Sequence, residues 1–157
     1  MEINMAQSRF VYVIYIRTTP AKLWEALLEP EFTRQYWVNT WQDCAWEVGA
    51  SWKLMIPDGR AGDAGEVLEI VPQKRLVLSW QNQFLPELKA EGFSRMTYEL
   101  EPVGDSVKLT VTHEMDQPDS KLIAGVSEGW PGLLSSLKSL LETGESLEHT
   151  RKWPEGM

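Results

Sequence analysis

The sequence predicts an α+β domain, a curved antiparallel sheet with a long C-terminal helix laid across it. Three observations carry this. Residues 120–144 (SKLIAGVSEGWPGLLSSLKSLLETG) place Leu122, Ile123, Val126, Trp130, Leu133, Leu134, Leu137, Leu140 and Leu141 at steps of three and four, which is one stripe of a helix. Most of the chain before it breaks into short β-rich segments separated by turn residues. A helix apolar on one face must cover something, and the sheet is the partner this chain offers.

Residues 9–17 (RFVYVIYIR) read as the first strand; nearly all are β-branched or aromatic, so both faces should be at least partly covered. Thr18 or Thr19 can cap a helix with Pro20 in its first turn, and Leu23, Trp24, Leu27 and Leu28 give it an apolar stripe. Glu29-Pro30 interrupts it, and residues 31–36 form a second short helix. The pair resembles a helix–turn–helix only in outline, because no basic recognition face follows. Residues 37–44 (WVNTWQDC) read as a loop bearing Trp37 and Trp41, and 46–48 as a short strand.

Residues 51–57 put Trp52, Leu54 and Ile56 on one face, and Asp58-Gly59 is a hairpin turn. Strands follow over 62–71, 76–83, 93–101 and 106–114, with turns at 72–74 and 104–105 and a longer connection over 84–92. This spacing suggests a meander. Gly129-Trp130-Pro131-Gly132 should kink or divide the last helix, and Gly144 should stop it. A single domain over 9–144 results, with 1–8 and 145–157 as tails, the second reading as a frayed end.

Composition excludes several roles. A net charge of −8 argues against nucleic acid or an anionic membrane surface, both of which select Lys and Arg. One cysteine, Cys44, allows no internal disulfide and, with two His, leaves little for a metal site. No segment reads as a secretion signal or a bilayer span, which suits a cytoplasmic protein without membrane insertion. No nucleophile elbow, phosphate loop, dinucleotide fingerprint or zinc helix occurs, so no cofactor is implied. Eight Trp in 157 residues point to a large aromatic core or an aromatic-lined pocket.

Strand alternation puts Val107, Leu109, Val111 and His113 on one face, as it does Met96, Tyr98 and Leu100, and Leu76, Leu78 and Trp80. The lining would be aromatic and aliphatic, with His113, the Tyr98 hydroxyl and the Trp52 and Trp80 indole N–H groups as its polar points. That composition suits a pocket for a small apolar or aromatic molecule.

Five blocks carry a family resemblance: YIRTTPAKLWEALLEPEFTRQYW, PDG, GEVLEIVPQKRLVLSW, YELEPVGDSVKLTVTHEM and EGWPGLLSSLKSLLETG. In this order they resemble the START-like helix-grip superfamily (SRPBCC), which includes polyketide cyclases and lipid-transfer proteins. Within it the chain is most similar to the stand-alone bacterial proteins named for the activator of the heat-shock chaperone ATPase. The resemblance implies a seven-stranded antiparallel sheet gripping the C-terminal helix, two short helices after the first strand, and a cavity between sheet and helix. It places Trp37, Trp52, Trp80, Tyr98, His113 and Trp130 in that cavity's lining, to which the strand pattern adds Leu54 and Met96 and the entrance loop Trp41. It implies binding of a hydrophobic ligand, with a cyclase, dehydratase or hydrolase activity using His113, or a stress-related chaperone co-factor role, as alternatives. Two copies could pair through an exposed sheet face or edge.

Each candidate has an ordinary structural reading beside it. His113 could act as a general base, but no carboxylate or nucleophile is placed near it, so a structural bond under the helix is favoured. Trp37 and Trp41 would border the entrance, whereas Trp24 and Trp80 read better as a core seal. Glu66 and Glu69 fall on opposite faces, subject to a bulge, and read first as solvated carboxylates. Arg34 and Arg95 read as surface ion pairs, Met55 and Met96 as packing, and Cys44 as unactivated.

Overall fold

The computed structural model describes residues 7–156. Strand β1 (Ser8–Ile16) begins one edge of a seven-stranded antiparallel sheet of order β1-β7-β6-β5-β4-β3-β2. The chain crosses once, through α1 (Pro20–Leu28) and α2 (Pro30–Tyr36), to the opposite edge at β2 (Trp41–Cys44). It then returns as a meander through β3 (Ser51–Met55), β4 (Ala61–Val71), β5 (Arg75–Asn82), β6 (Ser94–Val103) and β7 (Ser106–Met115), and β7 pairs with β1. A short helix α3 (Pro86–Lys89) lies in the β5–β6 connection, and the long helix α4 (Lys121–Thr143) ends the architecture. This is the α+β helix-grip fold.

Local chemistry explains the breaks. Thr19 Oγ1 accepts from Lys22 N at 3.2 Å, and Pro20 opens α1. Pro30 disfavours helical geometry at the residue before it, so Glu29 is extended (ψ 135°) and separates α1 from α2. On β1 the alternation is sharper than its composition suggests: Val11, Val13 and Tyr15 are 45–50% exposed on the outer face. Residues 41–44, expected as loop, form β2 and pair with β3, with Gln42 opposite Leu54. The strand expected over 46–48 is absent, because Trp46 (φ +53°) turns in the left-handed region.

Helix α4 runs unbroken through Pro131. Its N-terminus is held firmly: Ser120 Oγ accepts from Ile123 N, and the Glu91 carboxylate accepts from Ser120 Oγ (2.6 Å) and Lys121 N (2.9 Å). Gly144 (φ +88°) closes it. The segment after Gly144, expected to fray, folds back along the helix. Leu147 N donates to Ser136 Oγ (2.8 Å), Thr150 Oγ1 lies 2.7 Å from the same hydroxyl, and Thr150 O accepts from Val38 N (2.7 Å). The buried Ser136 hydroxyl therefore anchors a segment whose composition is polar.

Helix α4 packs on β1 and β7 and touches α2. It is not pressed equally on β3, β4 and β5, and that divergence makes the site.

Candidate functional site

Register builds the floor. Leu54 faces Asp63, and Asp63 faces Asn82, so these three side chains form a row across β3, β4 and β5 on the concave face. Trp52, two residues before Leu54, and Trp80, two before Asn82, share that face. Their rings lie 4.6 Å apart between centroids, and both residues are buried. Helix α4 brings Trp130 to 6.0 Å from Trp80, and the end of α2 brings Trp37 to 6.1 Å from Trp80, nearly parallel at 17°. These aromatics fill the middle of the fold with side chain.

Beyond them lies an open cleft of about 250 Å³. Its walls are Trp37, Leu54, Trp80, Phe84, Leu88, Leu122, Val126, Trp130, Leu133 and Trp153, with Gly125 and Gly129 on the helix side. A Cβ at Gly125 or Gly129 would meet nothing within 4 Å, so the missing side chains are part of what keeps the space open. Trp153, from the folded-back C-terminal segment, meets Phe84 edge-to-face at 5.8 Å. Asp63 and Asn82 are the polar lining side chains.

Asn82 is oriented by its own turn: Oδ1 accepts from Phe84 N (3.2 Å) and Leu85 N (2.8 Å), leaving Nδ2 toward Asp63 Oδ1 at 3.4 Å. Burial pushes the Asp63 carboxyl up from its ordinary value to about 7, against the pull of Trp80 and Asn82. The Trp80 indole N–H lies toward this carboxylate but closes no hydrogen bond of ordinary geometry, and among the described residues it is buried without a partner.

The candidate lining residues separate into two tiers. Trp37, Leu54, Trp80 and Trp130 face the cleft. Trp52, Met96, Tyr98 and His113 lie beneath it with no appreciable exposure. Trp52 donates to Gln42 Oε1 (3.0 Å), and Gln42 Nε2 donates to Leu27 O (2.7 Å). Tyr98 stands edge-on to Trp130 at 6.0 Å, its hydroxyl buried with no hydrogen-bond partner among the described residues and its pKa raised by burial.

His113 is enclosed. Trp130 Nε1 can only donate, so Nδ1 of His113 accepts, at 3.2 Å. Ser94 Oγ donates to Trp80 O (3.1 Å) and therefore accepts from His113 Nε2–H (2.7 Å). Both ring nitrogens are engaged and the ring is neutral, with its pKa pushed down to about 3 by burial. It holds a strand, a helix and an indole together and offers no proton to the cleft.

Trp41 faces outward on β2, beneath the Arg34 guanidinium at 4.1 Å, so this pair is a cation–π contact on the surface. The register shifts between Val67 and Glu69; Glu69 pairs with Arg75 (3.1 Å), and Glu66 is exposed. Arg95 sits on the exposed face of β6. The Cys44 thiol is pushed up by burial and accepts from Trp46 N (3.3 Å). Among the described residues no three His, Cys, Asp or Glu side chains converge as metal ligands, and no helix is long and apolar enough to cross a membrane.

Asp63, Asn82, Phe84 and Trp153 were not singled out by the sequence. Asp63 had a signal: it lies four residues before Val67 on the inward parity of its strand, where a carboxylate is out of place.

Solved structures share this architecture. Protein MLL2253 of Mesorhizobium loti is 26% identical with a TM-score of 0.73, over 86% of this chain and 97% of that one. The Aha1 dimer of Colwellia psychrerythraea is 21% identical with a TM-score of 0.71, over 88% and 99%. CalU16 of Micromonospora echinospora is 18% identical with a TM-score of 0.70, over 90% and 78%. No curated protein matches the sequence. The family model described as Activator of Hsp90 ATPase homolog 1-like protein matches residues 17–142, so the chain belongs to that family, within the START-like helix-grip superfamily.

Proposed function

We propose that the protein binds a small apolar or aromatic molecule in the cleft between α4 and strands β3–β5. The observation that carries this is the cleft itself: about 250 Å³, walled by indoles and aliphatic side chains, with two polar side chains set among them. A guest burying about 200 Å² of apolar surface would gain about 5 kcal/mol before ordering costs. Trp37, Trp80 and Trp130 would supply the contact area, and Asn82 and Asp63 would orient the guest. Titration of intrinsic tryptophan fluorescence with fatty acids, flavonoids, aromatic polyketides and aromatic amines tests this. Saturable quenching by at least one class is expected; a flat response across all of them would remove the proposal.

A second reading concerns self-association. It is favoured by the outer face of the edge strand β1, where Val11, Val13 and Tyr15 are half exposed on a nine-residue strand without Pro or bulge. The Colwellia structure is described as a dimer. Light scattering on a sizing column decides it: a dimer that Val13→Lys splits supports this face, and a monomer at 100-micromolar-scale concentration, about the upper working range, removes it.

A further inference from the structure

We infer that the preferred occupant of the cleft is a hydrophobic organic cation, an amine or ammonium group on an aromatic or aliphatic body, with Asp63 as its counter-ion. This rests on the cleft being a ligand site.

Asp63 lies in the lining of the cleft. Its register between Leu54 and Asn82 turns it into the concave face. A carboxylate can accept about four hydrogen bonds; among the described residues this one receives a long one from Asn82 Nδ2 at 3.4 Å, with the Trp80 indole N–H also turned toward it, and both donors are neutral. Among the described residues no ion pair reaches it, and the cleft lining contains no Lys, Arg or His. A carboxyl so placed is stable only when protonated or when a positive group joins it. The surrounding rings suit the second outcome. Trp37, Trp80, Trp130 and Phe84 border the same space, and aromatic faces attract cations more strongly when water is excluded.

The opposite charge is disfavoured at the same point. An anion would find no basic side chain in the lining, and the positive end of α4 nearby is already occupied by the Glu91 carboxylate. A neutral guest supplies no counter-charge and leaves protonation as the carboxyl's one way to shed its charge.

Calorimetric titration at pH 7.5 with three probes on one ring system tests this: 1-naphthylmethylamine, 1-naphthylmethanol and 1-naphthoic acid. The amine should bind at least tenfold more tightly than the alcohol, with the acid weakest. In Asp63→Asn the amine-to-alcohol ratio should fall to about one. Equal affinity of amine and alcohol for the unmodified protein, or tighter binding of the acid, overturns the charge assignment and leaves the cleft as a site for neutral guests. An unchanged ratio in Asp63→Asn overturns the role of that carboxylate. Failure of all three probes to bind overturns the cleft reading itself, and this inference with it.

Discussion

The indole N–H of Trp130 donates to Nδ1 of His113 at 3.2 Å, and this bond joins the middle of α4 to the end of β7 beneath the cleft. It works only with a neutral imidazole, since a protonated Nδ1 would set two donors against each other. Between pH 6.5 and about 3 the unfolded chain takes up a proton at this position that the folded chain does not. Stability contributed by the neutral ring is therefore lost as pH falls through that window. His113→Gln, which keeps a donor and an acceptor, should flatten the acid limb of a stability-against-pH curve. His113→Ala should cost about 3 kcal/mol in urea unfolding, from the void and the orphaned Trp130 and Ser94 groups.

Asp63 titrates with the opposite sign. Its folded pKa of about 7 lies above the ordinary carboxylate value, so between pH 4 and 7 the folded chain retains a proton that the unfolded chain has released. Stability declines as pH rises across that interval. The loss is at most about 4 kcal/mol and less in practice, because the carboxyl keeps an edge toward water in the cleft. The two groups oppose each other between pH 4 and 6.5. Asp63→Asn should thus be more stable than the parent at pH 8 and should lose stability more steeply on acidification, measured by thermal unfolding at five pH values.

Gly129 offers a way to close the cleft without breaking the fold. A Cβ there meets nothing within 4 Å, and Gly129 borders the cleft at its exposed rim, where a leucine side chain has room to lie across the opening. Gly129→Leu should hold or raise the melting temperature, since Gly costs about 1 kcal/mol in a helix. It should also abolish any saturable ligand response. Retained affinity in a stable Gly129→Leu protein would place the ligand elsewhere.

Gly65 has no such freedom. A Cβ there would run into the backbone carbonyl of Ser79 on the neighbouring strand β5. Gly65→Ala should destabilise by about 3 kcal/mol, read as a lower urea midpoint.

How far these features could be read from sequence follows from their physics. The stripe of α4 was legible because Leu122, Ile123, Trp130, Leu134, Leu137 and Leu140 are buried at helical spacing. The β3–β7 strands were legible from alternation and turn residues. β2 was not, because WQDC has little β-branched content and is held by its pairing with β3. The folded-back C-terminal segment was not, because polar bonds to Ser136 hold it in place of an apolar stripe. In the site, parity put Met96, Tyr98 and His113 on the concave face, but it could not say that Trp80 and Trp130 would fill the space above them. Trp153 reached the cleft only through that same unforeseen fold-back.

The most direct test is to follow the eight indole N–H resonances by ¹H–¹⁵N correlation spectroscopy while a naphthyl probe is titrated in. Saturable shifts at Trp37, Trp80, Trp130 and Trp153, with Trp24, Trp41 and Trp46 unmoved, are the predicted result. Shifts centred on Trp41 or Trp46, or none at any indole, would contradict a ligand site between α4 and the sheet.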